Sequence, residues 1–332
     1  MSSQRDSSRI VIAGASSLLG TELKSLLEES RFAGWDLSLV DEETAAGTLT
    51  EAGGEPAVIQ PVEEGTFAKA RLIFFSGSES FTERNLASAQ PSGAIIIDLS
   101  GACLRSPSAK TYFAAEDSGS TNASKNLFCV PSAPGLVTAG LIDALGGAGL
   151  SRLALTFFRP VSEAGRDGIE ELETQTSQLL SFQSVGQPVF DTQIAFSLLD
   201  RYGSASREKL QSTRERIRAE ATAALGENAV QPSIQVLHAP VFYGYTFSAL
   251  AELNSQQTGD SVINLVRKAG ITVNDADASP TGNLTASGES AIQVAVPEPD
   301  PARPNAWWFW GAADNIRLPA FTAVKLAERL LQ

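Results

Sequence analysis

The feature that most constrains this fold lies near the start of the chain. A short apolar run, Ile10 to Ala13, passes straight into GASSLLG, Gly14 to Gly20, and then into a helical repeat over Leu18 to Leu27. A strand, a glycine turn and a helix in that order belong to a parallel sheet with helices packed on its faces. The pattern continues, with Asp36 to Val40, Arg71 to Phe75, Ala94 to Asp98 and Leu127 to Val130 reading as further strands. The last runs into Pro-Ser-Ala-Pro-Gly at 131–135, and a helix is expected over Leu136 to Leu145.

From Arg152 the strands lengthen and alternate. Leu153 to Phe158, Ile234 to Phe242 and Ala249 to Leu253 are expected strands, with a charged helix over about Ser206 to Leu225 between them. This is α+β in character, a mixed or antiparallel sheet able to pair with a second subunit. Residues 273–305, rich in Pro, Gly, Ser and Asp, read as loop with one strand, Ile292 to Val296. Trp307 to Trp310, a turn at Asp314–Asn315 and a helix over Ala320 to Leu331 close the chain. The expected class is α/β: a Rossmann-type parallel-sheet domain over 1–132, then an α+β catalytic-like and dimerisation domain over 133–314. The helix within 315–332 is expected to pack back on the first domain.

Composition excludes several function classes. A formal charge of −13 repels a polyphosphate backbone, and no Lys/Arg stripe offsets it, so nucleic acid is not an expected partner. Two cysteines, Cys103 and Cys129, and one histidine, His238, are too few for a metal cluster or a disulfide framework. No apolar run approaches the roughly 18–20 residues of a membrane helix. MSSQRDSSR carries no apolar h-region before the first strand, so it reads as a short frayed leader and not as a signal peptide, and the cytoplasm is the default compartment.

The glycine turn suggests a dinucleotide. Glycine permits the turn, and the helix N-terminus offers N–H groups and a positive dipole end to a pyrophosphate. Gly14, Ser16, Ser17 and Gly20 are the candidates, although Ser17 stands where the usual motif has its middle glycine. Asp41 ends the second strand about twenty residues on, where an acid commonly bonds a ribose 2′-OH. With Glu42 and Glu43 beside it, a 2′-phosphate is repelled and NAD is favoured over NADP. Three acids that merely solvate a loop make the same pattern, and then no cofactor is implied.

Taken together, GASSLLG, SEAG (Ser162 to Gly165) leading into GIEELETQT, APVFYGY (Ala239 to Tyr245) and the closing ADNIRLPAFTAVKLAERLL resemble the aspartate-semialdehyde dehydrogenase family. The likeness covers nearly the whole chain and is closest to the Usg-type paralogues. It implies an NAD(P)-dependent oxidoreductase fold of amino-acid biosynthesis that dimerises through its second domain. Phe157 to Val161 and Val241 to Tyr245 would supply that surface or else lie in the core. SEAG resembles the family's SGAG loop beside the nicotinamide, and Asp314–Asn315 its late Asp-Asn turn. Gly77, Ser162, Gly165 and Asn315 therefore join the cofactor-binding candidates by resemblance.

The same resemblance exposes departures. The family adds a cysteine thiolate to an aldehyde, with a histidine as acid/base. Here Ala133 stands in the cysteine's place, and losing such a nucleophile costs on the order of a millionfold. Tyr245 stands in the place of the histidine, and its ordinary pKa of about 10 makes it a poor base. His238 stands where an arginine grips the substrate carboxylate, and a neutral imidazole lacks that fixed forked charge. Thr213 and Arg216 fall at the family's acid and lysine, and Arg105 lies one residue past its phosphate-binding arginine. Arg105 and Arg216 read either as an anion pocket or as two solvated arginines. Cys129, inside the apolar run LFCVP, reads as a small hydrophobe, and Cys103 offers no better nucleophile.

The expected function is thus an inactive homologue that keeps its dimer and a nucleotide or anion pocket for a small-molecule ligand. Two alternatives stay open: an oxidoreductase with altered chemistry that uses Tyr245 as proton donor, and a partner-binding module forming mixed dimers.

Overall fold

The computed structural model describes residues 8–113, 126–275 and 277–332. They fall into two compact units. The first runs to Tyr112, includes the stretch ending at Pro131, and ends with Pro319–Gln332; the second is chiefly Ser132–Leu318.

In the first unit, β1 (Arg9–Ala13), α1 (Leu18–Glu28) and β2 (Asp36–Asp41) are followed by a hairpin of β3 (Leu49–Ala52) and β4 (Glu55–Val58). Then come β5 (Gln60–Pro61), β6 (Ala70–Phe75), α2 (Glu79–Ala89), β7 (Ile95–Asp98), β8 (Lys110–Thr111) and β9 (Leu127–Cys129). The sheet order is β5-β2-β1-β6-β7-β9-β8, with every pairing parallel. Its central strands are apolar along most of their length, as in Ile10 to Ala13, Leu72 to Phe75 and Ile95 to Ile97, because both faces are covered. Ile10 and Ile12 face one core with Leu23, Leu26 and Leu27 of α1, while Val11 and Ala13 face another with Phe67 and Phe81.

The second unit contains α3 (Ala133–Gly146), β10 (Leu150–Arg159), α4 (Gly165–Leu180), α5 (Leu210–Leu225), β11 (Ser233–His238) and β12 (Tyr245–Leu253). α6 (Gly259–Lys268), β13 (Thr272–Val273), α7 (Asn283–Ala286), β14 (Gln293–Val294), β15 (Glu298–Pro299) and β16 (Ala306–Ala313) complete it. The sheet is mixed, in the order β11-β10-β12-β16-β14-β13, with β15 on β16. Alternation puts Leu153, Leu155, Phe157, Phe247, Ala249, Ala251 and Phe309 on a buried face with α3. Trp308 and Trp310 point the other way and stay exposed, and Phe158 packs 6.1 Å from Trp310.

The final helix, α8 (Arg317–Leu330), buries Ala320, Ala323, Val324, Leu326 and Ala327 in the core of the first unit.

Several expected boundaries shift for identifiable reasons. The strand expected to reach Phe242 stops at His238, because Pro240 cannot donate to a ladder and Gly244 turns with φ 80°. Val241 to Gly244 is therefore turn, Tyr245 opens β12, and Phe157 and Val161 lie in the core. α5 starts at Leu210 and not near Ser206, whose hydroxyl accepts the Glu208 N–H (3.1 Å) and donates to the Val189 carbonyl (3.0 Å). The last helix starts three residues earlier than expected, because Asp314 accepts the N–H groups of Ile316 (2.7 Å) and Arg317 (2.8 Å). Of the strand expected at 292–296, only Gln293–Val294 forms.

Candidate active site

In the first unit, Gly14 sits at φ 94°, and a Cβ there would lie 2.2 Å from the Gly77 nitrogen. A Cβ on Gly20 would lie 2.4 Å from the Gly14 carbonyl oxygen. The turn, the start of α1 and the loop after β6 are thus in backbone contact, and only glycine permits it. Ser17 caps α1, accepting the Gly20 N–H at 2.9 Å and donating to the Ser76 carbonyl at 2.9 Å. Asp41 is buried and accepts the Ser16 N–H and the Glu42 N–H, both at 2.8 Å. Each carboxylate oxygen keeps a second lone pair, so these bonds orient the group without exhausting it. Beside it, a cavity of about 280 Å3 is lined by Asp41, Glu42, Glu43, Phe81, Arg84 and others, with Arg84 paired to Glu42 at 2.7 Å.

In the second unit, the period of two carries the buried face of three neighbouring strands to a polar row. Arg159 ends β10, His238 ends β11 opposite it, and Tyr245 begins β12 one step beyond the Phe158–Thr246 pair. All three are buried. Arg159 donates from Nη1 to Tyr202 Oη (3.2 Å) and from Nη2 to Glu208 Oε2 (2.5 Å), while its Nε has no partner among the described residues. Burial works against its charge, but Tyr202, Tyr245, Glu208 and Glu163 outweigh that, and the guanidinium holds its proton more firmly than usual.

His238 is the end of a one-way chain. Its Nε2 lies 3.3 Å from the Ile194 carbonyl, which can only accept, so Nε2 carries the proton and Nδ1 accepts from Tyr202 Oη at 3.3 Å. Burial pushes its pKa down to about 4, with Arg159 adding to the effect and the Ile194 carbonyl opposing it. It is a neutral strut, and its backbone also bridges Leu199.

The Tyr245 hydroxyl has no hydrogen-bond partner of good geometry among the described residues. Burial, with Glu163 adding to it, raises its pKa well above 10, so it does not act as a base near neutrality. Glu163 sits on the short turn Val161–Ala164 and takes an Asn315 Nδ2 bond at 3.1 Å. Burial raises its pKa, while Arg159, Arg216, Asn315 and Tyr245 pull it down. Asn315 also accepts the Gly244 N–H at 2.9 Å and donates to Ser162 Oγ at 3.1 Å, clasping two turns together. Gly165 follows at φ 73°, a backbone only glycine adopts freely.

Ala133 is the first residue of α3 and is buried. The preceding residue, Ser132, donates its N–H (3.1 Å) and hydroxyl (2.6 Å) to Glu220, which also accepts Arg216 Nε at 2.8 Å. Arg216 is thereby tied along its own helix. Thr213 is half-buried on the same helix. Arg105 is exposed on a turn of the first unit, whereas Arg216 belongs to the second. Cys103 and Cys129 are both buried, and burial together with Asp98 raises the Cys103 thiol pKa far beyond a reactive range. The sequence reading missed Arg159, Tyr202, Glu208 and Glu220, and it passed over Glu163 inside SEAG. Only Arg159 had a signal, the alternation Leu153, Leu155, Phe157.

Two family models match in series, the semialdehyde dehydrogenase NAD binding domain over residues 9–123 and the semialdehyde dehydrogenase dimerisation domain over residues 139–318. The chain belongs to the semialdehyde dehydrogenase family. A USG-1 protein homolog of Azotobacter vinelandii is 29% identical over 330 residues, 97% of each chain. Aspartate-semialdehyde dehydrogenase of Rickettsia bellii is 24% identical over 333 residues, again 97% of each. Among solved structures, a probable aspartate-semialdehyde dehydrogenase from Pseudomonas aeruginosa superposes with a TM-score of 0.86 at 28% identity, covering 98% of both chains. Aspartate semialdehyde dehydrogenase II from Vibrio cholerae shares the fold, with a TM-score of 0.87 at 22% identity over 97% of this chain and 98% of that one. The α/β class with a parallel nucleotide-type sheet is thus that of the family. No helix among the described residues is long and apolar enough to cross a membrane.

Proposed function

We propose that this protein is a catalytically silent member of the semialdehyde dehydrogenase family that keeps a ligand-binding fold. The observation that carries the reading is the methyl of Ala133, buried at the start of α3 where the family motif has its thiol. A methyl forms no thiohemiacetal and holds no acyl group. The other two departures support it: Tyr245 holds its proton too tightly to be a base, and His238 is neutral and bonded at both ring nitrogens. The test is purified protein with aspartate semialdehyde, NAD or NADP, and phosphate. No turnover is expected, and a rate of about 1 per second or more, ordinary for an enzyme, would overturn the reading.

A nicotinamide dinucleotide, when bound, would supply the hydride acceptor. The Gly14–Gly20 turn and the first N–H groups of α1 would hold its pyrophosphate, and Asp41 its ribose. Asp41, Glu42 and Glu43 favour NAD, since Arg84, the nearby cation, is already paired with Glu42. The expected outcome is a rise in melting temperature with NAD and a smaller one with NADP; equal shifts would sink the preference. The half-apolar outer face of the second sheet, with Phe158, Trp308 and Trp310, is the face we assign to a homodimer.

A further inference from the structure

Glu163 is a third acid in a cluster that already balances its arginines. Arg159 is paired with Glu208 at 2.5 Å and Arg216 with Glu220 at 2.8 Å. Glu163 adds a carboxylate under the field of both guanidiniums, held by Asn315 Nδ2 at 3.1 Å. Two donors belong to the same buried cluster: Tyr245 Oη, which leans on Glu163 without good hydrogen-bond geometry, and Arg159 Nε, which has no acceptor among the described residues. Buried polar groups normally find partners, so these mark a donor set larger than Glu163 uses.

We propose that the Glu163 carboxylate is the resident counter-ion of an anion receptor made by Arg159, Arg216, Tyr245 and Asn315, and that it closes this site to free carboxylates and other small oxyanions. A charge sits on one side chain where a ligand's charge would otherwise sit. An incoming anion meets like charge and finds the Asn315 amide already taken. Without Glu163, the Tyr245 hydroxyl and the Asn315 amide lose their carboxylate partner, and with the unpartnered Arg159 Nε and the field of two cations they make a donor set suited to gripping a carboxylate. The residue thereby sets the ligand class of the site: neutral or cationic groups at this end in the native protein, anionic ones once it is removed. This deepens the reading of a ligand-binding site and does not depend on the absence of turnover.

The test is calorimetric titration of succinate into the wild-type protein, Glu163→Gly and Glu163→Gln, with cooperative melting as the check on folding. Succinate should bind Glu163→Gly at least about tenfold more tightly than wild type, or about 1.4 kcal/mol. Glu163→Gln, which keeps the bulk and loses the charge, should fall between them. Adding Arg216→Ala to Glu163→Gly should abolish the gain. Wild type binding succinate as tightly as Glu163→Gly overturns the proposal, as does a folded Glu163→Gly that binds no better. If the glycine variant does not melt cooperatively, Glu163→Ala carries the same comparison. Turnover by wild type would end the silent-enzyme reading and leave this comparison standing.

Discussion

Protonating His238 in the folded protein would place a second positive charge beside Arg159 in a dry site and break its bond from Tyr202. Its pKa therefore falls from the usual 6.5 to about 4. A depressed pKa means that the unfolded chain takes up the proton first, so stability is full above about pH 6.5 and drains as pH falls toward 4. The loss reaches about 2 kcal/mol by pH 5. Glu163 and Glu171, whose pKa values are raised chiefly by burial, act in the opposite sense and gain stability on acidification. The histidine's share is isolated by comparing urea midpoints of wild type and His238→Gln at pH 7 and pH 5; a difference that does not change with pH refutes it. Glu220 makes a separate case. It holds Ser132 and the start of α3, so Glu220→Ala should cost about 2 kcal/mol in chemical denaturation.

Among the elements, the glycine turn is the least tolerant. A methyl on Gly14 would overlap the Gly77 backbone at a left-handed φ, so Gly14→Ala should lose about 2 kcal/mol or more, and any NAD-dependent thermal shift with it. The parallel sheet was legible from Ile10 to Ala13 and Arg71 to Phe75 because strands covered on both faces are written as unbroken apolar runs. The second sheet was legible from its alternation, and the same alternation leads from Phe157 to Arg159. It was overlooked because a charged residue on a buried face runs against the usual rule. Tyr202 and Glu208 were not legible. They lie in the irregular stretch between α4 and α5, which has no period, and reach Arg159 only through tertiary folding. The α8 start was written in Asp314, but the cap was read as a family turn and not as the donor-satisfying residue it is.

At the scale of the whole molecule, the homodimer we propose would join two chains that each carry a formal charge of −13. Association through the Trp308 and Trp310 face should therefore tighten as salt screens the long-range repulsion. Trp308→Glu should shift the protein to monomer in sedimentation at concentrations where wild type is dimeric, and an unchanged sedimentation coefficient would move the interface elsewhere. The chain's composition has one more outcome. With a single imidazole in 332 residues, uniform 15N labelling yields one pair of imidazole nitrogen resonances, assigned to this residue by type alone. Because His238 is the terminus of the Arg159–Tyr202 relay, those two signals report directly on whether that corner of the protein is intact. The Glu163 variants and their titration with succinate can be followed through them.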